Sequence, residues 1–455
     1  MAYPAYSGYK AVDNIGFDQI PITWINQRLK FKATYNDETL PENMPPDTEV
    51  NYVDISGVNL VSGITKVDEL TFGKAPSRAR RIVRDGDTIV STVRTYLKAI
   101  ASIVKPIENM IVSTGFAVIR PTKEIDKSYL SYSLQSQSFI DSVMANSVGV
   151  SYPAINTTDL ARIQIAFPQT LAEQKQIANF LDYKTAQIDR LIEKKKQLIE
   201  KLNEKRIAVI TQAVSKGLDP FVPMKDSGVD WLGEVPENWD LRRLKFNVSY
   251  IGSGKTPLGG ANVYVNDGIM LLRSQNIHDD GLRLEDVVFM TGEADEQQAN
   301  TRLMPEDVLL NITGASIGRT STIPLDIPPS NVNQHVCILR PRKDIILPGY
   351  LHLLLCSKLA KEHVQSLQAG TSREGLNFVQ VANFLFPLPM KNEQEMILLH
   401  CSDINFYINK MINKVQSAIV RLTEYRTALI TAAVTGKIDV RDVRIPDQEA
   451  MSCDG

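Results

Sequence analysis

The string Gly252-Ser253-Gly254-Lys255-Thr256 has the residue types of a phosphate-binding loop. Such a loop needs a glycine five positions before its second glycine and a helix directly after it, so that backbone amides converge on phosphate. Position 249 is serine and Pro257 follows, so the string reads as a glycine-rich turn. Ile327-Pro328-Pro329-Ser330 comes nearest to the Asn-Pro-Pro-aromatic motif of amino-methyltransferases, but lacks its polar residue and its ring, and reads as a plain loop. The histidines, His278, His335, His352, His363 and His400, have no HxxxH or HExxH spacing, so no metal site is expected. Glu193-Lys194-Lys195 could pass for the end of a nuclease motif, but it lies in a helical stretch and reads as a solvated face. No catalytic constellation emerges.

The positive signal is basic. Between Thr71 and Lys105 stand Lys74, Arg78, Arg80, Arg81, Arg84, Arg94, Lys98 and Lys105, against Asp85 and Asp87. Cations in such a run suit phosphates, and arginine can also read guanine edges. Lys74, Arg78, Arg80, Arg81, Arg94 and Lys98 are the candidate DNA contacts here. Further along, Lys255, Thr256, Arg273, Gln275, Asn276, Arg319, Ser372 and Arg373 combine phosphate and base-edge donors. Gln and Asn pair with adenine. A charge run is also what a plain solvated face looks like, and the later set could be ordinary surface.

These residues sit in a chain of 455 with net charge −2, so any nucleic-acid surface must be a local patch. The length suggests two or three domains. The start, MAYPAYSGYK, lacks a charged region followed by an apolar run, and no apolar run approaches 18 residues. Neither a signal peptide nor a membrane span is expected. Cys337, Cys356, Cys401 and Cys453 have no CxxC spacing, which fits a reducing cytoplasm.

The elements that must position the candidates come from a repeat. Leu171 to Asp219 returns without a gap from Lys391 to Asp439, with identities such as Glu173/Glu393, Gln174/Gln394, Arg206/Arg426 and Thr211/Thr431. Both copies carry the 4-3 spacing of a coiled-coil seam. In the first, Ile177, Leu181, Ile188, Leu191, Leu198, Leu202 and Val209 hold seam positions, with Lys184, Lys195 and Lys205 between them. In the second, Ile397, Cys401, Ile404, Ile408, Met411, Val415, Ala418, Leu422, Tyr425 and Leu429 hold them. Thr170 with Glu173, and Asn392 with Glu395, have capping-box spacing, and Gly217 and Gly436 mark the ends. At 1.5 Å per residue each helix is a rod of roughly 65–70 Å. End-to-end antiparallel pairing would put Ile177 beside Leu429, Leu191 beside Val415, Lys195 beside Met411 and Lys205 beside Cys401.

The repeat extends further. Trp24 with Arg28-Leu29-Lys30-Phe31 returns as Trp239 with Arg243-Leu244-Lys245-Phe246. The turn-and-strand run 84–90 returns at 304–310, and Phe116–Pro121 returns as Val336–Pro341. Tyr129-Leu130 and Tyr350-Leu351 each open a helical stretch. Gly149, Ser151 and Asn156 return as Gly370, Ser372 and Asn377. Residues 32–80 and 247–300 show no alignment, so one scaffold carries two different surfaces. The expected organisation is a globular unit at 1–167, a long helix at 168–217, a linker at 218–235, a second globular unit at 236–389, a second long helix at 390–436 and a tail at 437–455.

The segments Trp231-Leu232-Gly233-Glu234-Val235-Pro236, Lys74-Ala75-Pro76-Ser77-Arg78-Ala79-Arg80-Arg81 and Gly370-Thr371-Ser372-Arg373-Glu374-Gly375-Leu376-Asn377, with the two Glu-Gln pairs and the tandem layout, resemble the specificity subunit of a Type I restriction-modification system. The first copies depart in places: Ile15-Gly16-Phe17-Asp18 stands for the Trp-Leu-Gly entry, and Val150 and Tyr152 for Thr and Arg after Gly149. The resemblance implies an α+β chain with two mixed α/β target-recognition domains, separated and joined by an antiparallel coiled coil with pseudo-two-fold symmetry. It implies double-stranded DNA as ligand, each domain reading half of a split site and the helices setting the gap. It also implies two modification subunits that bind AdoMet and methylate adenine, and restriction subunits that use ATP and Mg²⁺, with no cofactor in this chain. A tandem-repeat DNA-binding regulator and a coiled-coil scaffold without DNA remain the alternatives.

Overall fold

The computed structural model describes residues 3–255, 264–368 and 375–446. The chain divides into two compact units: residues up to 195 together with those from 416 onward, and residues 196–415. Each unit therefore contains one globular domain, the beginning of one long helix and the end of the other.

In the first unit an antiparallel sheet runs Ile100–Ser102, Thr88–Ser91, Phe116–Pro121, Ala33–Tyr35. Its two central strands are buried on both sides, and the two-residue alternation of a strand divides their side chains between two cores. Val90, Ala117 and Ile119 face a core shared with the helices, while Ile89, Phe116 and Val118 face a second core. That second core is closed by a sheet ordered Asp68–Thr71, Glu49–Val53, Met110–Ser113, Ala79–Ile82, whose middle pair is parallel.

The second unit repeats this plan. Val308–Asn311 lies between Val336–Pro341 and Thr320–Thr322. Val308, Leu310, Cys337 and Leu339 face one core, and Leu309, Val336 and Ile338 the other. Ile269–Leu272 pairs in parallel with Ser330–Val332. Residues 32–80 and 247–300 thus share an architecture that their sequences hide. The small hairpin Val58–Asn59 with Gly63–Ile64 has a counterpart in Ile277–His278 with Gly281–Leu282. The Pro328-Pro329-Ser330 loop opens a strand. Gly252 and Ser253 end another. A Cβ on Gly254 would lie 1.6 Å from the Val332 carbonyl oxygen, so this glycine serves close backbone packing. The 218–235 linker contributes a short strand, Met224–Asp226, paired with Glu234–Pro236.

The long helices are Leu171–Lys216 and Lys391–Val434. Thr170 Oγ1 accepts from Glu173 N and caps the first. The expected cap at Asn392 is absent, because that residue lies inside the helix and the Met390 carbonyl accepts from Glu393 and Gln394. Gly217 and Gly436 take φ of +75° and +72° just past the ends, where a Cβ would be strained.

The seam differs from the expected one. Leu191, Leu198 and Met411 are 43%, 44% and 43% exposed. Ile192 is buried, and Ile199 and Ile412 are partly so. Each exposed residue precedes an isoleucine, so an apolar-spacing rule fits either phase. Lys205 and Tyr425 are also exposed, and their neighbours Arg206 and Arg426 turn inward. The rest of the expected seam, Ile177, Leu181, Ile188, Leu202, Val209, Ile397, Ile404, Ile408, Val415, Leu422 and Leu429, is buried or partly buried.

The register differs too. End-to-end pairing places Asp189 opposite Ser417, yet in the first unit Asp189 meets Arg426, nine residues on. In the second unit Arg206 meets Asn409, nine residues beyond the expected His400. With this shift the end of each helix falls short of the start of the other, and that end seats in a globular domain. Tyr129 Oη donates to Val434 O at 3.2 Å, and Gln137 N to Thr431 Oγ1 at 3.0 Å. In the second unit Tyr350 Oη reaches Val214 O at 3.4 Å, and Lys358 N reaches Thr211 Oγ1 at 2.9 Å.

Candidate nucleic-acid interface

Each domain holds the start of its long helix through the Glu-Gln pair. Glu173 Oε1 accepts from Trp24 Nε1 at 3.0 Å and Tyr6 Oη at 3.0 Å. Gln174 Oε1 accepts from Asp126 N, and its amide donates to Pro168 O. Glu393 accepts from Trp239 Nε1 at 3.0 Å, and Gln394 bridges Leu347 N to Ile345 O and Pro389 O. Both tryptophans are fully buried, so each indole N–H needs its acceptor. A second repeated device braces the sheets. Arg120 grips the buried Asp87 at 2.9 and 2.8 Å, as Arg340 grips Asp307 at 2.8 and 2.9 Å. These contacts explain most of the repeat as scaffold.

The basic run of the first domain does not form one free patch. Arg78 donates to Asp54 at 3.0 Å and Tyr52 Oη at 3.2 Å. Arg80 lies over the Phe72 ring, 4.5 Å from its centre. Arg81 is half-buried, with Nη1 enclosed and unpartnered among the described residues, and burial lowers its pKa. Arg84 pairs with Glu38 at 2.7 Å, and together with Arg120 holds the Glu38 carboxyl below its ordinary range. Lys105 N and Lys127 converge on Asp85 and lower its pKa. Lys74 and Arg94 are exposed; Lys98 is partly buried.

In the second domain Asn276 is buried, its side chain accepting from Arg273 N and donating to Arg283 O. Arg273 Nη2 donates to Asp286 O at 2.7 Å. These contacts shape a loop, with the buried Asn276 amide and one nitrogen of the Arg273 guanidinium committed within it. Gln275, Lys255 and Arg319 are exposed. Thr256, Ser372 and Arg373 lie outside the described residues.

Spacing rules missed a different cluster in the first domain. Tyr96, Leu97, Val148, Val150 and Tyr152 are exposed on two adjoining segments. Val93 bridges to Ala154, Thr95 N donates to Pro153 O, and Thr95 and Ser147 hydroxyls meet at 2.9 Å. Arg94 stacks over Tyr152 at 5.2 Å. Among the described residues no group of His, Cys, Asp and Glu could hold a metal, and no helix is long and apolar enough to cross a membrane.

Two domains of one plan, each tied to both long helices and carrying unlike surface residues, define a tandem recognition scaffold. The chain belongs to the family of Type I restriction modification DNA specificity domains, whose model matches residues 48–201 and 236–416. It is 27% identical over 308 residues to the Type I restriction enzyme EcoBI specificity subunit of Escherichia coli, covering 66% of this chain and 64% of that relative's length. It is 26% identical over 340 residues to the MjaVIII specificity subunit of Methanocaldococcus jannaschii, covering 74% and 76%. The fold matches a chain in a solved structure concerning complex assembly and conformational transition of the type I R-M system. The TM-score is 0.65 at 21% identity, over 92% of this chain and 99% of that one.

Proposed function

We propose that this chain is the DNA-addressing subunit of a Type I restriction-modification complex, in which each recognition domain reads one half of a split target and the long helices set the gap. The observation that carries this reading is the repeated frame with divergent surfaces. The Trp–Glu, Arg–Asp and Tyr–carbonyl contacts recur in both domains, while the exposed residues differ. Two unlike readers on matching mounts suit two unlike half-sites. Half-sites about one helical turn apart, roughly 10 bp, would suit recognition elements related as the halves of a dimer.

The chemistry belongs to partners. Two modification subunits would bind AdoMet and methylate adenine, and restriction subunits would use ATP and Mg²⁺. The chain itself would hold no cofactor and would work in the cytoplasm. The test is a map of methylated adenines in cells expressing this chain with its modification partner. A bipartite motif is expected, and exchange of residues 32–150 for those of another family member should change one half only. A map in which both halves change together, or in which no bipartite motif appears, would overturn the reading.

A further inference from the structure

The loop from Val93 to Lys98 joins strands Thr88–Ser91 and Ile100–Ser102 through a single helical turn, Thr95–Leu97. The residues flanking that turn are left-handed: Arg94 at φ 51°, ψ 49° and Lys98 at φ 51°, ψ 39°. Side chains rarely adopt this conformation, which glycine takes readily. The corresponding loop of the second domain has Gly314 at φ +74° and Gly318 at φ +82°. Each glycine stands 220 residues after its counterpart, the same offset as in the long helices. Both domains thus build one loop shape. The second uses the residue that the backbone prefers, and the first carries two cations against that preference. Backbone strain of this kind gathers at functional sites.

The surroundings indicate what the cations meet. Residues 91–102 and 143–155 contain no Asp or Glu. Neither Arg94 nor Lys98 makes a salt bridge among the described residues: Arg94 lies on Tyr152, and Lys98 Nζ reaches only Gln137 Oε1 at 3.5 Å. Stacking on a ring orients a guanidinium and leaves its edge free, the edge that pairs with guanine O6 and N7. Tyr96, Leu97 and Val150 stand exposed nearby, and apolar side chains suit thymine methyl groups.

Resting on the reading of the chain as a DNA-addressing subunit, we infer that Arg94 and Lys98 are specificity-determining residues of the first domain. Arg94 reads a guanine edge in the major groove and Lys98 holds the adjoining phosphate. The second domain, with glycine at both places, reads its half-site by other contacts.

The test replaces Arg94→Gly and Lys98→Gly separately in the full chain with its modification partner. Because glycine fits the left-handed backbone, the melting temperature should hold or rise. Arg94→Gly should relax one base position in one half-site, with discrimination there falling about ten- to a hundredfold, and leave the other half intact. Lys98→Gly should weaken binding to all duplexes alike and reduce the salt slope by about 1. A falling melting temperature with both half-sites preserved would make these residues structural and overturn the proposal. Loss of the modification partner at unchanged DNA affinity would overturn it in favour of a protein-docking surface. An unchanged map for Arg94→Gly would overturn base reading by this loop while the wild-type bipartite map still upheld the address function.

Discussion

Arg426, almost wholly buried, donates Nε to both carboxylate oxygens of Asp189, at 3.0 and 3.3 Å. The equivalent arginine of the repeat, Arg206, meets Asn409 in place of an aspartate, and its Nε is buried without a partner among the described residues. One copy of the repeat thus completes an ion pair between the long helices, and the other sets its guanidinium against an uncharged amide.

Asn409→Asp should therefore give Arg206 the carboxylate it lacks, adding about 1 kcal/mol to the stability of the second unit. Asp189→Ala should cost about 1.5–3 kcal/mol, since it strands a buried guanidinium. Urea titrations of both variants would check this. Destabilisation by Asn409→Asp would show that its carboxylate does not reach Arg206.

The indole anchor should respond as strongly. Glu393→Ala leaves the fully buried Trp239 Nε1 without its acceptor. The expected cost is about 1–3 kcal/mol. Calorimetry should show it, and Trp239→Phe added to Glu393→Ala should recover part of the loss, because the orphaned N–H is then gone.

One contributor to the pH dependence of stability is Asp182. Burial raises the pKa of Asp182, whose Oδ1 accepts from Tyr132 Oη at 2.7 Å. An acid raised on folding favours the native state below its unfolded pKa, and that contribution is lost as pH rises through the folded value. Asp182→Asn should thus match wild type in strong acid and become the more stable form as pH climbs past the ordinary carboxylate range. Parallel denaturation curves from acid to neutral pH would measure it. A gap between the two that does not vary with pH would contradict it.

The helices can be tested as the ruler. Four residues inserted after both Glu193 and Asn413 add about 6 Å and turn each helix about 40° beyond a full turn. One base pair is about 3.4 Å and roughly 34–36° of twist. The gap in the methylated motif should lengthen by one or two base pairs, with both half-site sequences unchanged. A seven-residue insertion turns the helix back by about 20° and should fit DNA poorly. An active four-residue variant with the original gap would show that the helices do not set it.

The sequence by itself determined the tandem plan, because a repeat of near-constant offset is visible without any fold. It marked both long helices, since seam spacing and the terminal glycines are local properties of the chain. It could not choose between Leu191 and Ile192, Leu198 and Ile199, or Met411 and Ile412, because either neighbour satisfies the apolar spacing and only the packed partner decides. It could not set the helix register, which depends on Tyr129 and Tyr350 capturing carbonyls hundreds of residues away or more than a hundred, at Val434 and Val214. Nor could charge counting sort the arginines. Arg78 and Arg84 are tied to Asp54 and Glu38 by folding, while Arg94 and Lys98 gain their meaning from a backbone conformation that Gly314 and Gly318 share. Composition and spacing belong to the chain; which charges remain free, and where they point, is decided by partners that only the tertiary structure brings into reach.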